Sequence, residues 1–288
     1  MQNAGSWTKL DDWVRQILVD PFGKGPLIDD AGSLRSGYGS TYRQVDGIWD
    51  FRRRSVDRSR DSVTWQAGQD QYETWSRDLI ENDAKQDYVV EIEGIRDVYK
   101  EIPLRGRVLD VGGHQGRLRE FLTRDQEYLS CDPFIGVFNG TSSQENLLKA
   151  YRCFEDPCNF LACQAEHLPL QELTFDCVHM RSVVDHFRDP ALAMIEAYRV
   201  LRPGGALVVG LYVDGGKDGR ATFRECAKEA VRAILPWIGI RKYADHHVWH
   251  PTYAELRNLI EESGFAVRHV HWQKGWSERV CYIDARKV

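Results

Sequence analysis

From Arg107 to the C-terminus, strand-like and helix-like segments take turns, and this alternation restricts the fold more than any other feature of the chain. The strand candidates are Arg107–Val111, Glu127–Cys131, Asn159–Cys163, Phe175–Met180, Ala206–Leu211, Phe265–His271 and Arg279–Asp284. The helix candidates between them are Gln115–Leu122, Ser142–Tyr151, Pro190–Leu201, Phe223–Ile234 and Thr252–Ser263. Such a series builds a mostly parallel sheet with helices on both faces. The last two strands are joined by a short turn near Lys274–Gly275. A parallel crossover needs about a dozen residues or more, so the final strand is expected to enter the sheet antiparallel. The expected class is therefore α/β, with a seven-stranded Rossmann-like sheet.

Upstream the texture changes. Residues 1–60 are rich in Gly, Asp and Ser, with short apolar pieces (Gln16–Val19, Ser40–Val45, Ile48–Phe51) between turn signals such as Pro21, Gly23, Gly32 and Gly39. They read as a small β-rich domain. The basic run Phe51–Arg60 reads as a solvated hinge or as a contact for an anion or a partner. Residues 61–104 form a helical linker or lid, with Tyr72, Trp75, Leu79 and Ile80, then Val89, Ile92, Ile95 and Val98, at helical spacing. Residues 105–288 form the main domain, in which a long insertion at about 212–250 interrupts the alternation.

The 288 residues suffice for a large core. A formal net charge of −5 disfavours a nucleic-acid partner, because it repels a phosphate backbone at long range. Seven cysteines, none in a CxxC pair, read as buried thiols of a reducing compartment. With no secretory pattern and no bilayer-length apolar run, a cytoplasmic protein without a membrane span is expected.

Ligands of open α/β sheets bind beyond the carboxyl ends of the strands, so the segments there carry the chemistry. The first is VLDVGGHQG, Val108–Gly116, an apolar strand with an acid and a glycine-rich turn. Glycines let the backbone take a positive φ and let a ligand approach closely. The second is Cys131–Asp132–Pro133, whose acid, about twenty residues on, suits a ribose diol, with Phe134 placed to cover an aromatic base. The third is CQAEHLPL, Cys163–Leu170, which offers a side-chain acceptor and a backbone N–H to a base edge. The fourth runs from Phe175 to Asp189, and the fifth, Ala193–Gly205, is a helix stopped by Pro203–Gly204–Gly205 ahead of a buried strand.

Taken in order, these five segments resemble class I S-adenosylmethionine-dependent methyltransferases, notably the branch of ubiquinone and menaquinone biosynthesis enzymes. The resemblance covers roughly residues 105 to 285. It implies S-adenosyl-L-methionine as cofactor, with Asp110, Gly112, Gly113 and Gly116 around its methionine end. It places Asp132 on the ribose, Pro133 and Phe134 beside the adenine, and Gln164, Ala165 and Glu166 at the adenine rim. Arg181 and Ser182 would form the floor near the sulfonium. His114 stands where the family usually has a glycine, and Gln164 where it often has Asp. The Gln164 amide oxygen can still accept from an exocyclic amine, which implies weaker rather than lost binding.

A second resemblance lies in the N-terminal region. LVDPFGKGPL and LRSGYGSTYRQVDGIWDF resemble a small zinc-ribbon-like domain that activates or extends some methyltransferases. Asp20, Gly23, Ser36 and a residue near Tyr38 stand where that family carries cysteines, so no structural zinc is expected.

Methyl transfer from a sulfonium needs an aligned acceptor and excluded water, and a base only where the acceptor must lose a proton. His186, after the fourth strand, is the candidate base, with Asp185 to orient it. Tyr72 and Trp75 are candidates to close over the site. Asp245–His250 (DHHVWH) reads as an acceptor wall, with His246, His247, Trp249 and His250 as candidate substrate contacts. A metal site is not expected there, because adjacent histidines of one loop rarely converge on one ion without further ligands. The reading is an enzyme that methylates a small organic acceptor at oxygen, in a secondary-metabolite, quinone-like or sugar pathway. A homodimer is compatible with it. An RNA methyltransferase and a non-catalytic binding module of the same fold are the alternatives. A nicotinamide oxidoreductase fits RVLRPGG and an antiparallel last strand less well.

Overall fold

The structure, a computed structural model, describes residues 7–52, 60–219, 247–274 and 278–288. The expected helix Phe223–Ile234, most of the basic run, Cys226 and His246 lie outside the described residues.

Seven strands form the expected unit: β6 (Val108–Val111), β7 (Tyr128–Asp132), β8 (Cys158–Ala162), β9 (Phe175–Arg181), β10 (Leu201–Tyr212), β11 (Phe265–Trp272) and β12 (Val280–Lys287). Their spatial order is β11-β12-β10-β9-β6-β7-β8. β12 runs antiparallel to both β10 and β11, as the short final connection requires. Side chains alternate between the two sheet faces. Leu109, Val111, Leu129, Leu161, Val178 and Val209 join one core, and Val108, Tyr128, Phe160, Cys177 and Val208 join the other.

The sheet does not stop at seven strands. β2 (Leu27–Asp30), β3 (Ser33–Ser36), β4 (Thr41–Val45) and β5 (Ile48–Asp50) form an antiparallel meander. β5 then pairs in parallel with the far end of β8, Asp50 opposite Ala162, while β1 (Thr8–Lys9) pairs with its near end. The N-terminal region therefore continues the main sheet and covers an edge that would otherwise offer unpaired backbone groups. It also shares the main core, since Val14, Ile17, Leu18, Tyr42, Trp49 and Phe51 are buried with Leu129 and Leu161. The four positions expected to have lost metal ligands meet at one corner. There the Asp20 carboxylate accepts from the Phe22 and Gly23 N–H groups and from the Tyr42 hydroxyl, and the Ser36 hydroxyl adds to the same cluster. The Tyr38 ring packs against Gly23.

Two expected elements differ. Gln16–Val19 makes only isolated bridges, Leu18 to Leu170 and Val19 to Pro26, beyond the short helix α1 (Asp12–Gln16). The expected helix Gln115–Leu122 is reduced to a 3-10 turn over Arg117–Phe121, because Gly116 takes φ +75° and Leu122 is already extended. The remaining helices follow the expectations closely: α2 (Arg60–Glu81), α3 (Tyr88–Glu101), α4 (Glu145–Ala150), α5 (Pro190–Val200) and α6 (Tyr253–Glu262). α5 starts at Pro190 with Asp189 accepting from the Leu192 N–H, and α6 starts with a Thr252–Glu255 capping box. Among the described residues no helix is long and apolar enough to cross a membrane.

One ion-pair network ties the N-terminal region to α5. Glu196, buried, accepts from Lys24 Nζ at 2.6 Å, from Arg199 Nε and Nη2 at 2.7 and 2.8 Å, and from the Leu168 N–H at 2.9 Å. Removing one side of such a pair leaves buried charge uncompensated. Glu196→Ala is expected to cost about 3 kcal/mol in urea unfolding with little change in slope. A loss below about 1 kcal/mol would show that the network does not hold the two regions together.

Candidate functional site

A cavity of about 340 Å³ opens over the carboxyl ends of β6, β7, β8 and β9, within the size range of small-molecule sites. α2 and α3 cover it. Trp65, Tyr72 and Trp75 line it from α2, and Glu91, Ile95 and Tyr99 from α3. Asp110, Gly112, Gly113, Asp132, Pro133, Gln164, Ala165, Glu166, Arg181, Ser182 and His186 line it from the sheet side.

Backbone geometry explains the loop after β6. Gly112 has φ +69°, and a Cβ there would strike Val183 of the neighbouring strand end. His114, in the family's glycine position, also adopts a left-handed φ of +48°. Its ring meets Tyr72 edge-on at 5.6 Å and lies 6.3 Å from Phe134. Burial holds the imidazole neutral by lowering its pKa to about 3, and the Arg117 cation adds to the shift. Its Nε2 is buried with no hydrogen-bond partner in the structure.

Asp132 ends β7 with its carboxylate aimed by the loop. The Phe134 N–H donates to Oδ1 at 2.9 Å and the His114 N–H to Oδ2 at 3.3 Å. Burial pushes its pKa up to about 6 against these two donors, and the nearby Asp110 charge adds to the rise. The group is a carboxylate at neutral pH with acceptor capacity to spare.

Asp110 has a different first commitment. Its Oδ2 accepts from the Tyr128 hydroxyl at 2.6 Å, its Oδ1 lies 2.7 Å from His179 Nδ1, and His179 Nε2 is 2.9 Å from the Tyr99 hydroxyl. This buried chain fixes the loop from below and brings Tyr99 to the cavity wall. Glu166 is similarly engaged on one oxygen, which accepts from the Arg188 and Asp189 N–H groups at the start of α5. Gly116 and Phe134 are absent from the cavity lining. A Cβ at Gly116 would sit 2.6 Å from Cys158 Sγ, so this glycine serves packing on β8, while Phe134 lines a smaller neighbouring cavity.

Glu91, Arg117, Tyr99 and His179 were missed by sequence reasoning. Glu91 faces Arg117 at 3.6 Å and Arg181 at 4.0 Å across the cavity. A signal existed for His179, a polar side chain inside the apolar run Phe175–Met180, since such a group must find a partner when buried. Glu91 carried no signal, because helix periodicity places it on a polar-looking face.

At the rim, Asp185 lies between two histidines. His186 Nε2 is 4.0 Å from Oδ1, too far for the orienting hydrogen bond expected of it, and His247 Nε2 is 3.6 Å from Oδ2. His247, Trp249 and His250 stand outside the cavity lining, behind His186.

Residues 109–209 match the methyltransferase domain family. A ubiquinone/menaquinone biosynthesis C-methyltransferase of Saccharophagus degradans is 27% identical over 201 residues, 65% of this chain and 75% of that protein. One of Haemophilus ducreyi is 31% identical over 116 residues, 37% of this chain and 44% of its own length. In the first curated relatives that match, the shared stretch spans at most about half of the relative, 49% in that of Cellvibrio japonicus. Among solved structures, a 1,6-didemethyltoxoflavin-N1-methyltransferase of Burkholderia thailandensis, with 1,6-didemethyltoxoflavin and S-adenosylhomocysteine bound, aligns with a TM-score of 0.54 at 15% identity. That alignment covers 91% of this chain and 98% of that one. A likeness at such identity establishes the fold, which is the Rossmann-like class I methyltransferase fold with extra strands at one edge.

Proposed function

We propose, from the premise that the chain carries a class I S-adenosylmethionine-dependent methyltransferase domain, that it binds S-adenosyl-L-methionine in the strand-tip cavity and methylates a small organic acceptor at oxygen. The observation that carries this reading is the Asp132 carboxylate, buried at the cavity wall and aimed by two backbone N–H groups, one turn from the glycine loop. It matches a ribose diol, which donates two hydrogen bonds and accepts none from a carboxylate.

The rest of the cofactor then has a place. Gln164, Ala165 and the free side of Glu166 meet the adenine rim, and Tyr72 and His114 flank it with ring surface. The methionine carboxylate lies toward Arg117 and Arg181, and its ammonium toward Glu91. The sulfonium methyl points at the rim beside Ser182 and His186, where the acceptor enters. His186 is the ionisable group placed to take the acceptor's proton during in-line transfer. Tyr72 and Trp75 exclude water from above. A small acceptor fits the size of the cavity and the net charge better than RNA. Arg52, a described member of the basic run, is tied to Asp50 and to the Pro133 carbonyl.

The test is calorimetric titration with S-adenosylhomocysteine, which should show one site per chain, together with a thermal shift. The absence of both heat and shift would leave a fold without its cofactor and overturn the reading.

A further inference from the structure

The ligating atoms of Asp185, His186 and His247 all lie within 4.8 Å of one another. Two segments about sixty residues apart bring them together. Asp185 and His186 occupy the turn after β9, and His247 precedes α6. The Val248 and Trp249 N–H groups donate to the Asp185 carbonyl at 2.8 and 3.2 Å, which locks one segment against the other. The two imidazole rings are 4.5 Å apart at 32°. Asp185 Oδ1 is buried and has no hydrogen-bond partner in the structure. An unpaired buried carboxylate oxygen beside two imidazoles calls for a cation.

We propose that Asp185, His186 and His247 bind a divalent first-row ion of the zinc class at the rim of the cavity. Two nitrogens and one carboxylate suit that class by ligand type. Tetrahedral bonds of about 2.0–2.1 Å would set neighbouring donors about 3.3 Å apart. His186 Nε2 is 4.0 Å from Oδ1 and His247 Nε2 is 3.6 Å from Oδ2, and one donor atom from each residue lies within 4.8 Å of the others, so side-chain rotations would have to draw the set in around an ion. Among the described residues three protein donors converge, and a catalytic zinc site combines three such donors with one open position for water or substrate. His186 lines the cavity, so the open position faces the acceptor. An ion there would lower the pKa of a coordinated acceptor hydroxyl, whose proton would pass to solvent water before the oxygen takes the methyl group, and His186 would then serve as a ligand and not as the base. The identity of the fourth ligand rests on the methyl-transfer reading; the binding of the ion does not.

The experiment is titration of the full, tag-free chain with Co²⁺, followed by its visible absorption, with Zn²⁺ as competitor. The expected result is one ion per chain with the intense bands of four-coordinate cobalt, displaced by zinc. Asp185→Asn and His247→Ala should each weaken binding about a hundredfold. His269→Ala and His271→Ala, which remove the separate surface pair on Glu101, should not. Unchanged S-adenosylhomocysteine affinity in His247→Ala would confirm that the variant is folded. Absent cobalt bands at one equivalent, or affinity unaffected by both Asp185→Asn and His247→Ala, overturns the proposal. Cobalt binding by a chain that ignores S-adenosylhomocysteine would overturn the cofactor reading and leave the ion site standing.

Discussion

Asp132→Ala is expected to weaken S-adenosylhomocysteine binding about a hundredfold. The replaced carboxylate would make two charge-assisted hydrogen bonds to the ribose, each contributing about 1.5 kcal/mol, and about 3 kcal/mol corresponds to that factor. The pH dependence distinguishes this from general damage. A diol donates to the ionised carboxylate, and the carboxyl of the free protein titrates near about 6. Affinity should therefore fall as pH drops below about 6, with a proton released on binding near that pH, and Asp132→Asn should flatten the profile. Stability should move the other way. The folded-state pKa is raised, so this group favours the folded protein below its unfolded value of about 3.9, and that contribution disappears as pH rises through about 6. Asp132→Asn should consequently raise the melting temperature at pH 7 while it weakens binding. Equal affinity for wild type and Asp132→Ala would remove the ribose assignment.

His186→Ala is expected to cut turnover by about two orders of magnitude while S-adenosylhomocysteine affinity stays within about twofold. The residue lines the cavity at the rim, on the side proposed for the acceptor and not for the nucleoside, so cofactor binding should not need it. The loss follows whether Nε2 takes a proton or holds an ion. A pH profile separates the two uses. An imidazole acting as base without an ion gives an acid limb in the activity profile that vanishes in His186→Ala and does not respond to chelators. An ion site gives loss on chelation and recovery on metal addition. Unchanged turnover would remove His186 from the chemistry.

The antiparallel last strand and the helix starts of the main unit were legible because their causes are local. The short turn near Lys274–Gly275 forces an antiparallel last strand, and Thr252–Glu255 and Asp189–Pro190 mark helix starts through their own side chains. The continuation of the sheet through β5 was not legible. It depends on Asp50 meeting Ala162, a pairing between distant segments that leaves no periodic trace in either. Within the site, Asp132 and Gln164 could be placed from their positions after strands. Gly116 could not, because a glycine that admits a ligand and one that admits Cys158 look alike in sequence. Asp110 was read as a ligand contact and does line the cavity, but the hydrogen bonds that tie its two oxygens to Tyr128 and His179, from two other strands, left no trace in the sequence. The approach of His247 to Asp185 depends on backbone hydrogen bonds from Val248 and Trp249, which no residue pattern announces.

A crystal structure of the chain with S-adenosylhomocysteine bound tests the central claim most directly. The account predicts the ribose hydroxyls on the Asp132 carboxylate, the adenine beside Gln164 and Ala165, and the sulfur facing the rim at His186. A cavity closed by its own side chains, or a nucleoside lying elsewhere with Asp132 untouched, would contradict it.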